Sequence, residues 1–212
     1  MTENPETEKI CVLALDIDGV LVHPNERFAG GPWDSRIQED LGIDPVALGQ
    51  KFFRVHWPEI IIGKRDLRET LDLVLPDLNP EITTAEFMNY WFRHDAHIDE
   101  GVVAELRTWK QRTNGLLIAV TNQEKYRVAY LIDELGLGEF FDQLIWSGDI
   151  GITKSSPDFY EKAIAKVGCD PHCVWFFDDD ERNVAVASEA GWHAHHFVGL
   201  EDMRQSLLSI CA

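Results

Sequence analysis

The stretch Ile10-Cys11-Val12-Leu13-Ala14-Leu15-Asp16-Ile17-Asp18-Gly19 decides how the chain is read. Its apolar run, rich in branched residues, reads as a buried strand, and the Asp-Gly step stops it. Side chains on a strand alternate with period two, so Asp16 and Asp18 can leave the strand end pointing the same way. Such a pair suits a nucleophile beside a proton donor, or two ligands of one hard cation. Taken alone it equally suits an ordinary turn, because Asp and Gly are common turn formers. The rest of the chain decides.

Outward from this run, four more apolar, strand-like runs follow at 116–120, 143–146, 173–177 and 194–198. Helix-like segments at 124–135, 157–167, 181–190 and 200–210 alternate with them. Near-continuous apolar strands alternating with helices mark a parallel sheet covered on both faces. Right-handed crossovers make this a doubly wound α/β domain. Between the first two strands lie residues with no convincing strand pattern, far more than a crossover needs. They read as helices near 35–41, 45–57, 64–75, 84–94 and 99–112, punctuated by Gly30-Gly31-Pro32, Asp44-Pro45, Leu75-Pro76 and Asn79-Pro80. The expectation is a helical insertion over 22–95, tied to the α/β part (1–21 and 96–212) by flexible stretches near Gly30-Gly31 and Ile98-Asp99.

The 212 residues suffice for one domain plus a modest insertion, and 45% hydrophobic with 26% charged residues is an ordinary globular composition. Nineteen basic against 37 acidic residues give a formal charge of -18, which disfavours nucleic acid as a partner by repelling its phosphate backbone. A small anionic substrate would need a cation or local Lys and Arg to approach carboxylates here. No apolar stretch is long enough for a membrane span and residues 1–9 are polar and acidic, so a cytoplasmic protein is expected. Cys169 and Cys173 are too loosely spaced for a zinc set, and the four cysteines are expected as reduced thiols.

Polar clusters follow the strands at a consistent place. Asp16 and Asp18 follow the first, Thr121 and Asn122 the second, and Asp178-Asp179-Asp180 the fourth; Lys154 lies in the loop after the third. In a parallel sheet these ends share one edge, where open α/β folds place ligands. Each cluster has a plainer reading: Thr121-Asn122 or Asp180 as helix caps, Lys154 as a solvated loop lysine. One cap does not account for Asp178 and Asp179 as well, since successive acids repel unless something cationic sits there. Phosphoryl transfer to an aspartate fits the conjunction. Mg²⁺ and a lysine would mask the phosphate's charge, a second carboxyl would serve the leaving group and then the water, and Thr121 and Asn122 would hold phosphate oxygens.

At these residues the chain resembles the haloacid dehalogenase (HAD) superfamily. The family's first motif matches Leu15-Asp16-Ile17-Asp18-Gly19-Val20-Leu21, and its second matches Val120-Thr121-Asn122. Its third matches Gly151-Ile152-Thr153-Lys154 with Tyr160, and its fourth matches Asp178-Asp179 with Asn183 and Ala190-Gly191-Trp192. The proline that usually follows the lysine is Ser155 here. The resemblance implies strand order 3-2-1-4-5 and makes the insertion a small helical cap of the C1 type. It implies that Asp16 is nucleophile and metal ligand, and that Asp18 is the acid/base, giving the metal its backbone carbonyl. Asp179 would bind the metal directly, with Asp178 assisting directly or through water, and Thr121 and Lys154 would bind phosphate.

The implied activity is Mg²⁺-dependent hydrolysis of a small soluble phosphorylated metabolite, possibly a sugar phosphate. Asp18 argues against a dehalogenase, which lacks that acid. Lys51 and Lys64 read as solvated rather than as a phosphonatase's Schiff-base lysine. The alternatives are a sugar-phosphate mutase of the β-phosphoglucomutase type and a catalytically idle HAD-like binding protein. Substrate choice is assigned to the insertion, with Arg54, Trp57 and Arg93 as candidate specificity residues. By their plainer readings Trp57 and Trp91 are insertion core and the arginines are surface.

Overall fold

In the computed structural model, which describes residues 11–24 and 31–210, the opening apolar run forms strand β1 (Val12–Leu15), buried along its whole length. The chain continues through β2 (Val22–His23) into α1 (Ile37–Leu41), α2 (Pro45–Leu48), a π-helical turn at Gly49–Phe53, α3 (Arg54–Ile60), α4 (Leu67–Val74) and α5 (Thr84–His94), and returns through β3 (His97–Ile98). There follow α6 (Glu100–Thr113), β4 (Leu116–Thr121), α7 (Lys125–Asp133), α8 (Leu137–Phe140), β5 (Gln143–Trp146), α9 (Ser147–Ile150), α10 (Pro157–Val167), β6 (Val174–Asp178), α11 (Glu181–Glu189), β7 (His193–His196) and α12 (Leu200–Ser209).

Five strands pair in parallel in the order β5-β4-β1-β6-β7, which is 3-2-1-4-5 when sheet strands alone are counted. β1 is central: Val12 aligns with Leu116 on one side and Val174 on the other. Period-two alternation sorts its side chains between two cores. Leu13 and Leu15 pack with Leu117, Phe177 and residues of α6 and α12 such as Leu106, Trp109 and Met203. Val12 and Ala14 pack with Ile118, Phe176 and residues of α10 and α11 such as Phe159 and Ala187. Full burial of such side chains stabilises by roughly 1.5–3 kcal/mol each. Both faces of the sheet are therefore covered, as the uninterrupted apolar strands require.

Between β1 and α6 the helices build a third core around Phe52, Leu71, Phe87 and Trp91. Their ends are set by local chemistry. Thr83 and Glu86 form a capping box at α5, Asp66 caps α4 by accepting from Glu69 N at 3.0 Å, and Asp44 precedes Pro45 at α2. The helix expected over 45–57 is a relay of α2, the π-turn and α3.

Two expectations are corrected. The stretch between β1 and β4 does contain strands: β2 and β3 pair antiparallel, with Val22 opposite Ile98 and His23 opposite His97, and Asp99 N donates to Leu21 O at 2.9 Å. The connection near Ile98-Asp99 is thus a hydrogen-bonded ribbon, and two-residue strands carry no periodicity to read. Gly30 of the other expected linker lies outside the described residues. Cys11, expected as a thiol, is disulfide-bonded, whereas Cys169 and Cys173 are free. A disulfide depends on which chain segments meet in space, which cysteine spacing does not record. No helix among the described residues is long and apolar enough to cross a membrane.

Candidate active site

Asp16 leaves β1 with its amide N–H donating to Phe177 O at 2.9 Å, so the sheet register carries on into the site. The chain then turns sharply: Leu21 N and Val22 N both donate to Ile17 O at 2.8 Å, and Asp16 Oδ1 accepts Ile17 N at 2.8 Å. Gly19 sits at φ +82°, and a Cβ there would overlap the Asp179 carboxylate. Only glycine meets both demands, a left-handed backbone and contact with the end of the neighbouring strand.

Beneath this turn lies a buried ionic cluster. Lys154 Nζ sits 2.6 Å from Asp16 Oδ2 and 2.7 Å from Asp178 Oδ2, and all three side chains are almost entirely enclosed. Asp178 Oδ1 also accepts Asp180 N at 2.9 Å and Asn183 Nδ2 at 3.1 Å. Asn183 is in turn held by Tyr160, whose hydroxyl donates to Asn183 O at 3.0 Å. Burial works against the Lys154 charge, but Asp16 and Asp178 keep its pKa raised. Burial pushes the Asp16 carboxyl up, against the pull of Lys154. The lysine's backbone is placed by Asn122, whose Oδ1 accepts Lys154 N at 2.9 Å. Asn122 thus ties the end of β4 to the Lys154 loop.

Asp18 points to another set of partners. Gln123 Nε2 donates to Asp18 Oδ2, and Arg127 Nη2 lies 3.8 Å from Asp18 Oδ1. Asp18 keeps 45% of its side chain exposed, yet the surrounding protein desolvates it and pushes its pKa up to about 6, against the pull of Arg127. Arg127 is buried, and it donates to Phe92 O at 2.9 Å and to Asp95 O, both in the segment between β1 and α6. A cavity of about 410 Å³ opens beside Asp18, lined by Trp57, Trp91, Asp95, Gln123 and Arg127 among others.

The structure thus brings Asp16, Lys154, Asp178 and Asp179 together, with Asp18 and Asn122 at their edge. Thr121 is buried at the end of β4, opposite Trp146 of β5. Asp16, Asp178 and Asp179 each offer a carboxylate oxygen within 4.8 Å of the others, an all-oxygen donor set that suits a hard cation. The Asp18 side chain is outside that trio. Of the residues assigned to specificity, Trp57 lines the cavity; Arg54 is exposed on α3, and Arg93 lines separate depressions with Asn89.

Asp180 is the α11 cap, accepting Arg182 N at 2.9 Å. The α7 cap is Glu124, accepting Tyr126 N at 2.8 Å, so Thr121 and Asn122 are not needed for it. Sequence reading passed over Gln123, Arg127 and Asp95. One signal was present for Arg127: it shares the apolar stripe of α7 with Val128 and Leu131, where a charge needs a buried partner.

A family model described as a haloacid dehalogenase-like hydrolase matches residues 10–191. A search of curated proteins finds no match. Among solved structures, a variant of a HAD family enzyme from Bacteroides thetaiotaomicron, in complex with magnesium and inorganic phosphate, superimposes with a TM-score of 0.71 at 17% identity, covering 88% of this chain and 93% of that one. A predicted HAD-like family hydrolase from Porphyromonas gingivalis gives 0.69 at 21% identity, over 94% and 98%. A 2-haloacid dehalogenase from Pseudomonas syringae pv. Tomato gives 0.66 at 17% identity, over 96% and 100%. These likenesses establish the fold.

Proposed function

The chain belongs to the haloacid dehalogenase-like hydrolases, and on that premise we propose that it is a Mg²⁺-dependent phosphomonoester hydrolase working through an aspartyl phosphate on Asp16. The observation that carries this reading is the Lys154 ammonium held between Asp16 and Asp178, with a second carboxyl, Asp18, beside the first. A carboxylate attacks phosphorus only where the phosphate's negative charge is offset, and Lys154 is a fixed cation at that point. Asp16, Asp178 and Asp179 would hold the magnesium ion, which when bound supplies further charge neutralisation.

In the first half-reaction an Asp16 oxygen forms a bond to phosphorus as the bond to the leaving oxygen breaks, and Asp18 gives its proton to the departing alkoxide. In the second, Asp18 takes a proton from water as the water oxygen bonds to phosphorus, releasing inorganic phosphate and restoring Asp16. Gln123 and Arg127 fix the Asp18 carboxyl for both transfers, while Asn122 and Asn183 hold Lys154 and Asp178 in place. A departing halide needs no proton, so this provision around Asp18 favours phosphate esters over haloacids. We assign residues 22–95 as the cap and 1–21 with 96–212 as the catalytic domain, and Trp57 is the cap residue best placed to meet the leaving group.

Acetyl phosphate and p-nitrophenyl phosphate are therefore expected to be hydrolysed, with activity lost in EDTA and recovered with Mg²⁺. Full turnover by metal-free protein would overturn the reading. So would halide release from a 2-haloacid by a protein inert to both phosphates.

A further inference from the structure

We propose that the group this enzyme cleaves from phosphate is a non-anionic alcohol rich in hydrogen-bond donors, a polyol or an amino alcohol, and that the cavity beside Asp18 rejects leaving groups bearing a carboxylate or a second phosphate. The inference rests on the phosphatase reading and concerns the half of the site that the phosphoryl group does not fill. Among the described residues, the charged groups lining the cavity are Asp18, Asp95 and Arg127. Two carboxylates therefore face one guanidinium.

That guanidinium is already engaged. Arg127 is only 3% exposed. Its centre lies 5.5 Å from the ring centroids of both Phe92 and Tyr130. Nη1 donates to Phe92 O at 2.9 Å and Nη2 donates to Asp95 O. Nη2 also lies 3.8 Å from Asp18 Oδ1 and 3.9 Å from Asp95 Oδ2. An arginine that recognises a substrate anion presents its fork to the cavity; this one presents it to its own chain. Asp18 carries a proton in one half of the cycle and not in the other, and in neither state does the cavity gain a free cation. Among the described arginines of the insertion, Arg36, Arg54, Arg65, Arg68 and Arg93, none is a lining residue of the cavity.

What the cavity does offer is hydrogen-bond acceptance and aromatic surface. The Asp95 carboxylate can accept from a hydroxyl or an ammonium. Trp57 and Trp91, with ring centroids 5.3 Å apart and planes tilted by 54°, form an angled indole wall. Such a wall packs against the C–H face of a polyol and attracts a cation through the ring quadrupole.

Matched pairs test this: glycerol 3-phosphate against 3-phosphoglycerate, and phosphoethanolamine against phosphoglycolate, each compared as a competitor of acetyl phosphate hydrolysis by the Mg²⁺-loaded enzyme. The non-anionic member of each pair is expected to compete at least about tenfold better. Asp95→Asn, which leaves one carboxylate facing one guanidinium, is expected to narrow that ratio. The relative strength of glycerol 3-phosphate and phosphoethanolamine tells a polyol site from an amino-alcohol site. Equal or reversed competition within the pairs, competition from neither member, or an unchanged ratio in folded Asp95→Asn protein overturns the proposal. Failure to hydrolyse acetyl phosphate at all would instead remove the phosphatase reading beneath it.

Discussion

Lys154 is enclosed with two carboxylates, and removing any one of the three leaves charge without a partner in a poorly solvated place. The two aspartates of the motif turn have different neighbours, and the proposed mechanism gives them different roles. Asp16→Asn is expected to abolish turnover, because an amide does not attack phosphorus. Asp18→Asn is expected to retain slow phosphorylation where the leaving group needs no proton, as with p-nitrophenyl phosphate. Single-turnover trapping of the phosphoenzyme distinguishes the two, and equal residual activity would show the roles to be misassigned. Most of these residues were legible in the sequence, since Asp16, Asp18, Thr121, Asn122, Asp178 and Asp179 each sit where an apolar run ends, and Lys154 lies in the loop that follows one. Gln123 and Asp95 were not legible. An amide just past the Thr121-Asn122 pair and an acid after a helix look like solvated polar residues until folding places them beside Asp18.

At the scale of elements, α7 and α9 join the sheet to the segment between β1 and α6. Ser147, at the start of α9, is fully buried; its Oγ donates to Ile61 O at 2.6 Å and accepts Gln123 N at 3.0 Å. Close by, Gly63 at φ +72° approaches Gly148 so tightly that a Cβ would overlap the Gly148 carbonyl. Asp66, the α4 cap, also accepts from Tyr126 Oη at 3.0 Å and pairs with Lys125 Nζ at 2.6 Å. Partial burial works to raise the Asp66 pKa, yet Lys125, the Glu69 N–H and Tyr126 together hold it down at about 2. Ser147→Ala strips Gln123 N–H and Ile61 O of this partner, so a loss of about 1–3 kcal/mol is expected. Urea denaturation measures it, and a change within about 0.5 kcal/mol of zero, as at ordinary surface positions, would mean that the joint is not held through this hydroxyl. The helices themselves were visible from their apolar spacing and caps. Their contacts were not, because a serine that begins a one-turn helix carries no local mark of its partner 86 residues away.

Across the whole molecule, a formal charge of -18 surrounds a site whose acids are packed together, so a cation should matter to stability as well as to chemistry. Burial raises the pKa of Asp16 and Asp179, and of Asp18 from 3.8 to about 6. A carboxyl whose folded pKa is raised favours the native state most below its unfolded pKa and loses that contribution as pH rises through the folded value. The Asp18 contribution accordingly falls between pH 3.8 and about 6, and Mg²⁺ is expected to compensate above that window. At a hundredfold excess over its Kd, Mg²⁺ adds about 2.7 kcal/mol, or roughly 5–10 °C in Tm for a chain of this length. Differential scanning fluorimetry should show that shift at about pH 7.5 and little of it at about pH 5, where protons compete for the carboxylates; equal shifts would show binding elsewhere. The sequence by itself determined the parallel sheet, the covering helices and the polar clusters at one sheet edge, because periods of 2 and 3.6 and the residues that end them are local properties of the chain. Only the tertiary structure decided that Lys154 bridges Asp16 and Asp178, that Arg127 is consumed by Phe92, Asp95 and Asp18, that β2 pairs with β3, and that Cys11 is oxidised. These depend on which distant segments packing brings within a few ångströms, and no local pattern encodes that distance.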